Sequence, residues 1–206
     1  MPRAKQRTPE LREKVLQVAV EMLTSDGLAG FTARKVAEGA DTSTPAVYEL
    51  FGDKAGLVRE VFFEGFRMLY GRLEHLEHLE SSADPRADLA EVMLVLRRFA
   101  RDNPTLAELM FSRPFADFDP RPADRNAGAA VREFIVARVR RCIDAGIISG
   151  DPTDISHVLL AVVQGLALQE TAGWLGSSKA SIDRRWSLAL DAVLRGLSPA
   201  GDKITR

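Results

Sequence analysis

The stretch VLQVAVEMLTSDGLAGFTARKVAEGADTSTPAVYELFGDKAGLVREVF, residues Val15–Phe62, decides the fold. Its first part repeats apolar residues at the spacing of one helix face, which predicts a helix over about residues 9–25 that Gly27 closes. Two short helices follow, and a tight turn at residues 41–43 joins them. Thr32 is expected to cap the first of them, and Asp53 is expected to cap the longer helix that comes after the second. One longer helix followed by two short helices with a tight turn between them is typical of a helix-turn-helix.

The second short helix of this motif is predicted to begin at Ser43 or Thr44, either of which can cap it, and to end where Gly52 breaks it. Val47 and Phe51 are four residues apart, so they share the face that turns to the core. In a helix-turn-helix this helix enters the major groove of DNA. Its opposite face, together with the start of the two neighbouring helices, supplies the candidate DNA-binding residues, which are Thr32, Arg34, Lys35, Thr44, Pro45, Ala46, Tyr48, Glu49 and Lys54.

The same stretch resembles the tetracycline-repressor (TetR) family of bacterial transcriptional regulators in the order of its glycine, threonine, hydroxyl cap, tyrosine, phenylalanine and lysine. The resemblance implies a dimeric repressor that a small molecule releases from a pseudo-palindromic operator. It also implies phosphate contacts at Thr32, Thr44, Tyr48 and Lys54, and positions near the bases at Arg34, Pro45 and Ala46. Two residues depart from the family pattern, because Glu49 replaces an aromatic or basic residue and Leu50 replaces a histidine or tyrosine.

Helical periodicity continues along the rest of the chain, and no segment alternates with the period of a strand. We therefore predict an all-α protein of about nine helices, with a helix-turn-helix head at residues 1–52 and a ligand-binding and dimerisation domain at 53–206. Two later stretches, Arg97–Phe111 and Leu159–Gly173, resemble a TetR C-terminal domain of the tryptophan-histidine-glycine type. Of that signature the chain keeps only the glycine, in Val163-Gln164-Gly165.

Several aromatic and methionine side chains are candidate walls of a pocket for a small, largely apolar effector. With one polar residue, the candidates are Phe66, Tyr70, Met93, Phe99, Met110, Phe115, Phe134 and Gln164. Ordinary core packing is the alternative for most of the apolar ones, and an interface glutamine is the alternative for Gln164. The proline-rich stretch Ser112–Asn126 is predicted to be a loop, and its Phe115 and Phe118 suggest that it covers a cavity.

The last two helices are predicted to form the homodimer interface. Gly165, Ala167 and Ala189 lie there among aliphatic residues, which favours close packing of both helices against their two-fold mates in a four-helix arrangement. A ligand that prefers a conformation with wrongly spaced recognition helices would lower DNA affinity by linkage, and the helix over residues 54–69 is the expected lever.

Of the 206 residues, 46% are hydrophobic and 28% are charged, a composition that is typical of a folded protein. Its single cysteine, Cys142, cannot form an internal disulfide, which fits a reducing cytoplasm. Met1–Glu10 contains no apolar leader core, and the longest aliphatic run, Val158–Val163, is too short to span a bilayer. We therefore expect a cytoplasmic protein with no membrane partner.

No pattern of catalytic or cofactor-binding residues is found. His75 and His78 have a spacing that can hold a metal, but a solvated helix end is the preferred interpretation. The sequence thus predicts no enzyme activity, no metal and no cofactor. Arg138, Arg140 and Arg141 are interpreted as solvated charges.

Two other functions remain open at this stage. The net charge is −1, and residues 1–54 hold as many acidic as basic residues. This balance, with Glu49 and Leu50, favours a helical small-molecule-binding protein that has lost DNA binding. An enzyme in the helical domain would need convergent acid, base or metal groups in a pocket.

Overall fold

The computed structural model describes residues 8–78, 84–111, 122, 126 and 128–199. Within these ranges the chain forms nine α-helices and no strand, which confirms the predicted all-α class. The helices are α1 (Pro9–Gly30), α2 (Ala33–Gly39), α3 (Thr44–Phe51), α4 (Lys54–His78), α5 (Pro85–Asp102), α6 (Pro104–Phe111), α7 (Ala129–Asp144), α8 (Pro152–Thr171) and α9 (Lys179–Gly196). Phe115 and Phe118, with nearly all of the predicted loop at Ser112–Asn126, lie outside the described residues.

Helix α1 is bent at the glycine that the sequence marked as its end. The Thr8 hydroxyl caps its start by accepting from the N–H of Leu11 at 3.3 Å. Gly27 has φ 67° and ψ −177°, values outside the helical region. The helix resumes beyond it and continues to Gly30. The predicted break is therefore correct in position, but the prediction missed the short continuation after the bend.

The described residues fall into two compact units. Unit 1 comprises those within Met1–Met68 and Asn103–Ala127, and unit 2 those within Leu69–Asp102 and Gly128–Arg206. Helix α4 contributes residues to both. The division into a DNA-binding head at residues 1–52 and a ligand-binding and dimerisation domain at 53–206 stays a prediction.

Unit 1 is built around the first three helices. Its fully buried apolar side chains come from α1, from the connection after it, and from α2, α3 and α4: Val15, Ala19, Leu23, Phe31, Val36, Ala37, Val47, Leu57 and Val61. Helix α6 packs on α1 and lies close to α4, since a Cβ atom on Gly65 would lie 2.5 Å from Sδ of Met110. Burial of this apolar surface is the main force that fixes α3 against α1 and α2.

Unit 2 packs α5, α7 and α8 around an aliphatic core, and α9 packs on α8. A buried polar network joins three of these helices. The Arg97 guanidinium donates to both carboxylate oxygens of Glu170 at 2.8 and 2.9 Å, and it lies 2.8 Å from the carboxylate of Asp183. The Trp186 indole N–H donates to Glu170 at 2.6 Å, and the Arg97 guanidinium stacks over the same indole.

One charge interpretation from the sequence is wrong. Arg138 is buried rather than solvated, because its guanidinium carbon lies 3.4 Å from the ring centroid of Phe134 and its Nε lies 3.9 Å from Asp88. Arg141 is half-buried and forms an ion pair with the same Asp88 carboxylate. Arg140 is exposed, as expected. Stacking on an aromatic face, together with a nearby carboxylate, compensates the burial of an arginine.

Candidate DNA-binding site

The turn between α2 and α3 has the geometry of a helix-turn-helix. Its central residue, Asp41, has φ 54°, a left-handed conformation that aspartate tolerates better than most residues. The N–H of Thr42 donates across it to the carbonyl of Ala37 at 2.8 Å. Three residues therefore reverse the chain and set α3 against α2.

Side-chain caps fix the start of both short helices. The Thr32 hydroxyl accepts from the N–H of Lys35 at 3.3 Å, which confirms the predicted cap of α2. At α3 the cap is Ser43, whose hydroxyl accepts from the N–H of Ala46 at 3.3 Å. Thr44 is thus the first residue inside α3, and its hydroxyl does not serve as the cap.

Helix α3 has one buried face and one exposed face, as the four-residue spacing predicts. Val47 and Phe51 are buried in unit 1. Pro45, Tyr48 and Glu49 are exposed, and Tyr48 keeps 42% of its surface accessible. The predicted contacts Thr44 and Ala46 are half-buried at the edges of this face, as is Leu50. A large aromatic ring presented to solvent on a helix of this kind is available to a partner.

The three basic candidates lie near the ends of α2 and α4, and two of them are paired. Arg34 Nε is 3.0 Å from Glu38 Oε1, while Lys35 Nζ is 3.1 Å from Asp26 Oδ2. The Lys35 hydrogen bond, with a smaller contribution from Ser25, holds the pKa of Asp26 below its usual range.

Lys54 is exposed as the first residue of α4. Among the described residues it has no ion-pair partner.

The passage from α3 into α4 depends on two glycines. Gly52 has φ 84° and donates its N–H to the carbonyl of Tyr48 at 2.7 Å, which ends α3 as predicted. The Asp53 carboxylate then accepts from the N–H of Gly56 at 2.7 Å and caps α4. A Cβ atom on Gly56 would lie 1.9 Å from the carbonyl oxygen of Phe51, so this close approach requires glycine.

Arg12, which contacts Phe51 at the end of α3, was not predicted from the sequence. Its guanidinium lies 5.1 Å from the ring centroid of Phe51 and donates to Glu60 Oε2 at 2.6 Å. Arg12 thereby links α1, the end of α3 and α4 within unit 1. The partners of Arg12 are far away along the chain, so no local pattern identifies this role.

The predicted effector residues are divided between the two units. Met93, Phe99, Phe134 and Met110 are buried, and Phe66, Tyr70 and Gln164 are half-buried. In unit 2 the rings of Tyr70 and Phe134 meet edge to face at 6.4 Å, and in unit 1 Phe66 meets Phe62 and Phe111 in the same way. The amide of Gln164 has no hydrogen-bond partner among the described residues.

An open groove lies along α9, and residues such as Asp183, Arg184 and Leu188 line it. None of the predicted effector residues that the structure describes lines this groove.

Two features that define other protein classes are absent from the described ranges. No helix there combines the length and the apolar character needed to cross a membrane. Nor does that part of the chain bring three potential metal ligands together. The described placement of His75 is at an exposed position of α4.

A head of three helices with a capped, solvent-facing third helix defines a helix-turn-helix DNA-binding protein. Sequence comparison agrees, since residues 15–61 match the family described as bacterial regulatory proteins, tetR family. Residues 89–193 match the tetracyclin repressor-like C-terminal domain. The chain therefore belongs to the TetR family of bacterial transcriptional regulators, whose members combine an N-terminal DNA-binding domain with a C-terminal ligand-binding domain. The narrower tryptophan-histidine-glycine type stays a prediction.

Solved structures share the fold over nearly the whole chain. A protein with unknown function from Rhodococcus sp. RHA1 is 28% identical and superposes with a TM-score of 0.78, covering 96% of this chain and 100% of that chain. The TetR family transcriptional regulator PfmR from Thermus thermophilus is 21% identical, with a TM-score of 0.64 and coverage of 89% and 98%. TetR from Acinetobacter baumannii AYE, in complex with minocycline, is 21% identical, with a TM-score of 0.62 and coverage of 88% and 93%. No curated protein matches the chain.

Proposed function

We propose that this regulator binds duplex DNA with α3 in the major groove and is released by a small molecule. The observation that carries the proposal is the exposed face of α3, with Pro45, Tyr48 and Glu49 presented to solvent while Val47 and Phe51 hold the helix in the core. A short helix fixed in this way can enter a groove as a rigid body.

Phosphate contacts are assigned to hydroxyl and ammonium groups around α3. Hydroxyls of Thr32, Thr44 and Tyr48 can donate to phosphate oxygens, and the Lys54 ammonium adds a charge-assisted hydrogen bond. Thr32, Thr44 and Lys54 lie at helix starts, where free backbone N–H groups also favour an anion. Such contacts set orientation and affinity rather than sequence preference.

Sequence preference is assigned to few side chains. Arg34 can donate bidentately to guanine, which is worth about 1–3 kcal/mol of discrimination, and Lys35 lies next to it. Pro45 and Ala46 offer small apolar contacts to thymine methyl groups. The Glu49 carboxylate can accept from the amino group of cytosine, although it also repels phosphate.

A homodimer through α8 and α9 is proposed as the DNA-binding form. Large apolar side chains on these helices face solvent in the single chain, with Leu168 63% and Leu188 66% exposed and Val158 also exposed. Gly165 lies in the same helix as two of them, and a Cβ atom there would have open space around it. An exposed apolar face of this kind is costly in water and is characteristic of an interface. A two-fold dimer requires a pseudo-palindromic operator.

The effector is proposed to be a small, largely apolar molecule that acts by linkage. Aromatic and methionine side chains of the helical domain, with Gln164 as the polar group, are the proposed contacts. The minocycline complex of the Acinetobacter relative supports a small-molecule ligand for this fold. A ligand that prefers the conformation unsuited to DNA lowers DNA affinity by the same free energy, and α4 is the proposed lever. Repression relieved by ligand is the proposed sign of regulation.

The proposed place of action is the cytoplasm, where the operator lies, and the proposed mechanism needs neither catalysis nor a cofactor. The binding experiment that tests the function uses a duplex from the region upstream of the protein's own gene, with a duplex of random sequence as competitor. We expect a specific complex whose affinity falls steeply as salt rises, because phosphate contacts release counterions. A folded dimer that forms no specific complex even at low salt would instead support a ligand-binding protein without DNA binding.

A further inference from the structure

Both basic side chains of α2 that are proposed to contact DNA are already held by carboxylates. Arg34 is 83% exposed, and its Nε lies 3.0 Å from Glu38 Oε1 one turn further along the same helix. Lys35 reaches back to α1, where its Nζ lies 3.1 Å from Asp26 Oδ2. All four residues belong to unit 1, so these pairs exist in the DNA-free head.

A carboxylate and a phosphate compete for the same groups. Each offers anionic oxygens that accept charge-assisted hydrogen bonds from a guanidinium or an ammonium. Arg34 and Lys35 must therefore leave or share their carboxylate partners when DNA arrives. The hydrogen bond from Lys35 holds the pKa of Asp26 below its ordinary value, so the carboxylate is expected to be ionised, and able to compete, at neutral pH.

We propose that Asp26 and Glu38 lower the affinity of this regulator for DNA by pairing with Lys35 and Arg34 and so competing with DNA for these two side chains. The proposal rests on the proposed DNA-binding function and names two residues that regulate it. The proposal also assigns a role to two of the acidic residues that leave the head without a net positive charge. Acidic and basic residues balance over residues 1–54, and two of the acidic ones pair with basic residues that are proposed to contact DNA.

The expected effect is modest because both pairs are exposed. Exposed ion pairs have small coupling, so Asp26→Asn and Glu38→Gln should each tighten DNA binding about two- to fivefold at low ionic strength. The gain should shrink as salt screens the carboxylates. It should also appear with a duplex of random sequence, because a freed arginine or lysine is attracted to the phosphates of any duplex as well as to base edges.

A matched control separates pairing from bulk charge. Glu21 is exposed on α1 and accepts a hydrogen bond from the neutral amide of Gln17 at 3.1 Å. Glu21→Gln thus removes the same charge from the same unit without freeing a basic residue. A second control is the pair Arg34→Ala and Arg34→Ala/Glu38→Gln, because the gain from Glu38→Gln should vanish once Arg34 is absent.

The experiment is fluorescence anisotropy of the full-length wild type and variants with the upstream duplex and with the random duplex, at low and high salt. A gain for Asp26→Asn and Glu38→Gln but not for Glu21→Gln supports the proposal, provided that thermal melting shows all variants folded. The proposal is overturned, with DNA binding intact, if Glu21→Gln gives an equal gain or if neither Asp26→Asn nor Glu38→Gln gives a gain. A loss of affinity for Glu38→Gln also overturns it, because it would indicate that Glu38 orients Arg34 for the bases. Absence of DNA binding by the wild type and every variant would overturn the proposed function as well.

Discussion

The first turn of α4 passes the end of α3 so closely that a Cβ atom on Gly56 would lie 1.9 Å from the carbonyl oxygen of Phe51. That atom is backbone and cannot rotate away. The close approach leaves no room for a side chain at residue 56, two residues after Lys54. Gly56 is therefore a structural requirement of the proposed DNA-binding surface.

Gly56→Ala should destabilise unit 1 and weaken DNA binding, even though alanine favours a helix over glycine by about 1 kcal/mol. The carbonyl clash should outweigh that gain and lower the Tm of the protein. Gly71→Ala is the control on the same helix, because nothing lies within 4 Å of a Cβ atom there. We expect Gly71→Ala to leave the Tm unchanged or raise it. Equal melting of both variants would show that the contact is not restrictive.

The proposed dimer face predicts a substitution that separates folding from assembly. A Cβ atom at Gly165 meets nothing within the single chain, so Gly165→Glu should leave each protomer folded. The glutamate carboxylate would lie among Val158, Leu168 and the partner's helices. The free energy needed to bury this unpaired charge should dissociate the dimer. Sedimentation velocity should find a folded monomer with weakened operator binding. Gly71→Glu should stay dimeric, and a dimeric Gly165→Glu would move the interface elsewhere.

The buried network of unit 2 predicts a large loss of stability from one substitution. Side chains of Arg97 and Glu170 are only 12% and 14% exposed, so Arg97→Met leaves the Glu170 carboxylate and the Trp186 indole without their cation. We expect a loss of up to about 3 kcal/mol in the free energy of unfolding. Chemical denaturation followed by the fluorescence of the buried Trp186 measures it. Lys179→Met, at a largely exposed end of the network, should lose far less.

The stability of the protein should fall in acid as the carboxylate of Asp183 becomes protonated. Hydrogen bonds from Lys179, and then from Arg97, hold the pKa of this carboxyl below its ordinary 3.8. Its contribution is therefore present above pH 3.8 and is lost as the pH falls from there through the lower folded-state pKa. The Tm of the wild type should exceed that of Asp183→Asn near neutral pH, and the two should converge in acid.

The matched control for this pH series is Asp144→Asn. Its carboxylate is exposed, and no ion-pair partner of it lies in the described part of the chain. We expect little change in the Tm difference with pH for this variant. A wild-type advantage over Asp183→Asn that persists unchanged in acid would show that the hydrogen bonds do not depend on the ionised form.

Features that depend on neighbours in sequence were predictable. Helix caps at Thr32 and Asp53, the breaks at Gly27 and Gly52 and the buried face of α3 follow from residue type and helical spacing, and the structure confirms them. The choice between Ser43 and Thr44 as cap depends on which of them is the last residue with an extended backbone, and residue type left it open.

Features that depend on distant partners were not predictable. Lys35 pairs with Asp26 of the preceding helix, and Arg97 meets Glu170 from 73 residues away. Arg138 looked like a solvated charge because a helical pattern cannot show which face a neighbouring aromatic ring covers. Periodicity reveals that a face is buried but not what lies against it. The DNA contacts and the effector contacts stay predictions for the same reason.

Hydroxyl-radical footprinting of the upstream region of the protein's own gene, with the wild type and with Tyr48→Ala, tests most directly whether the α3 face binds an operator. The wild type should protect two symmetry-related half-sites about one helical turn apart, because a two-fold dimer presents two copies of α3. Tyr48→Ala should stay a folded dimer and lose that protection. Protection by the variant equal to that of the wild type, or no protected half-sites with either protein, would contradict the account.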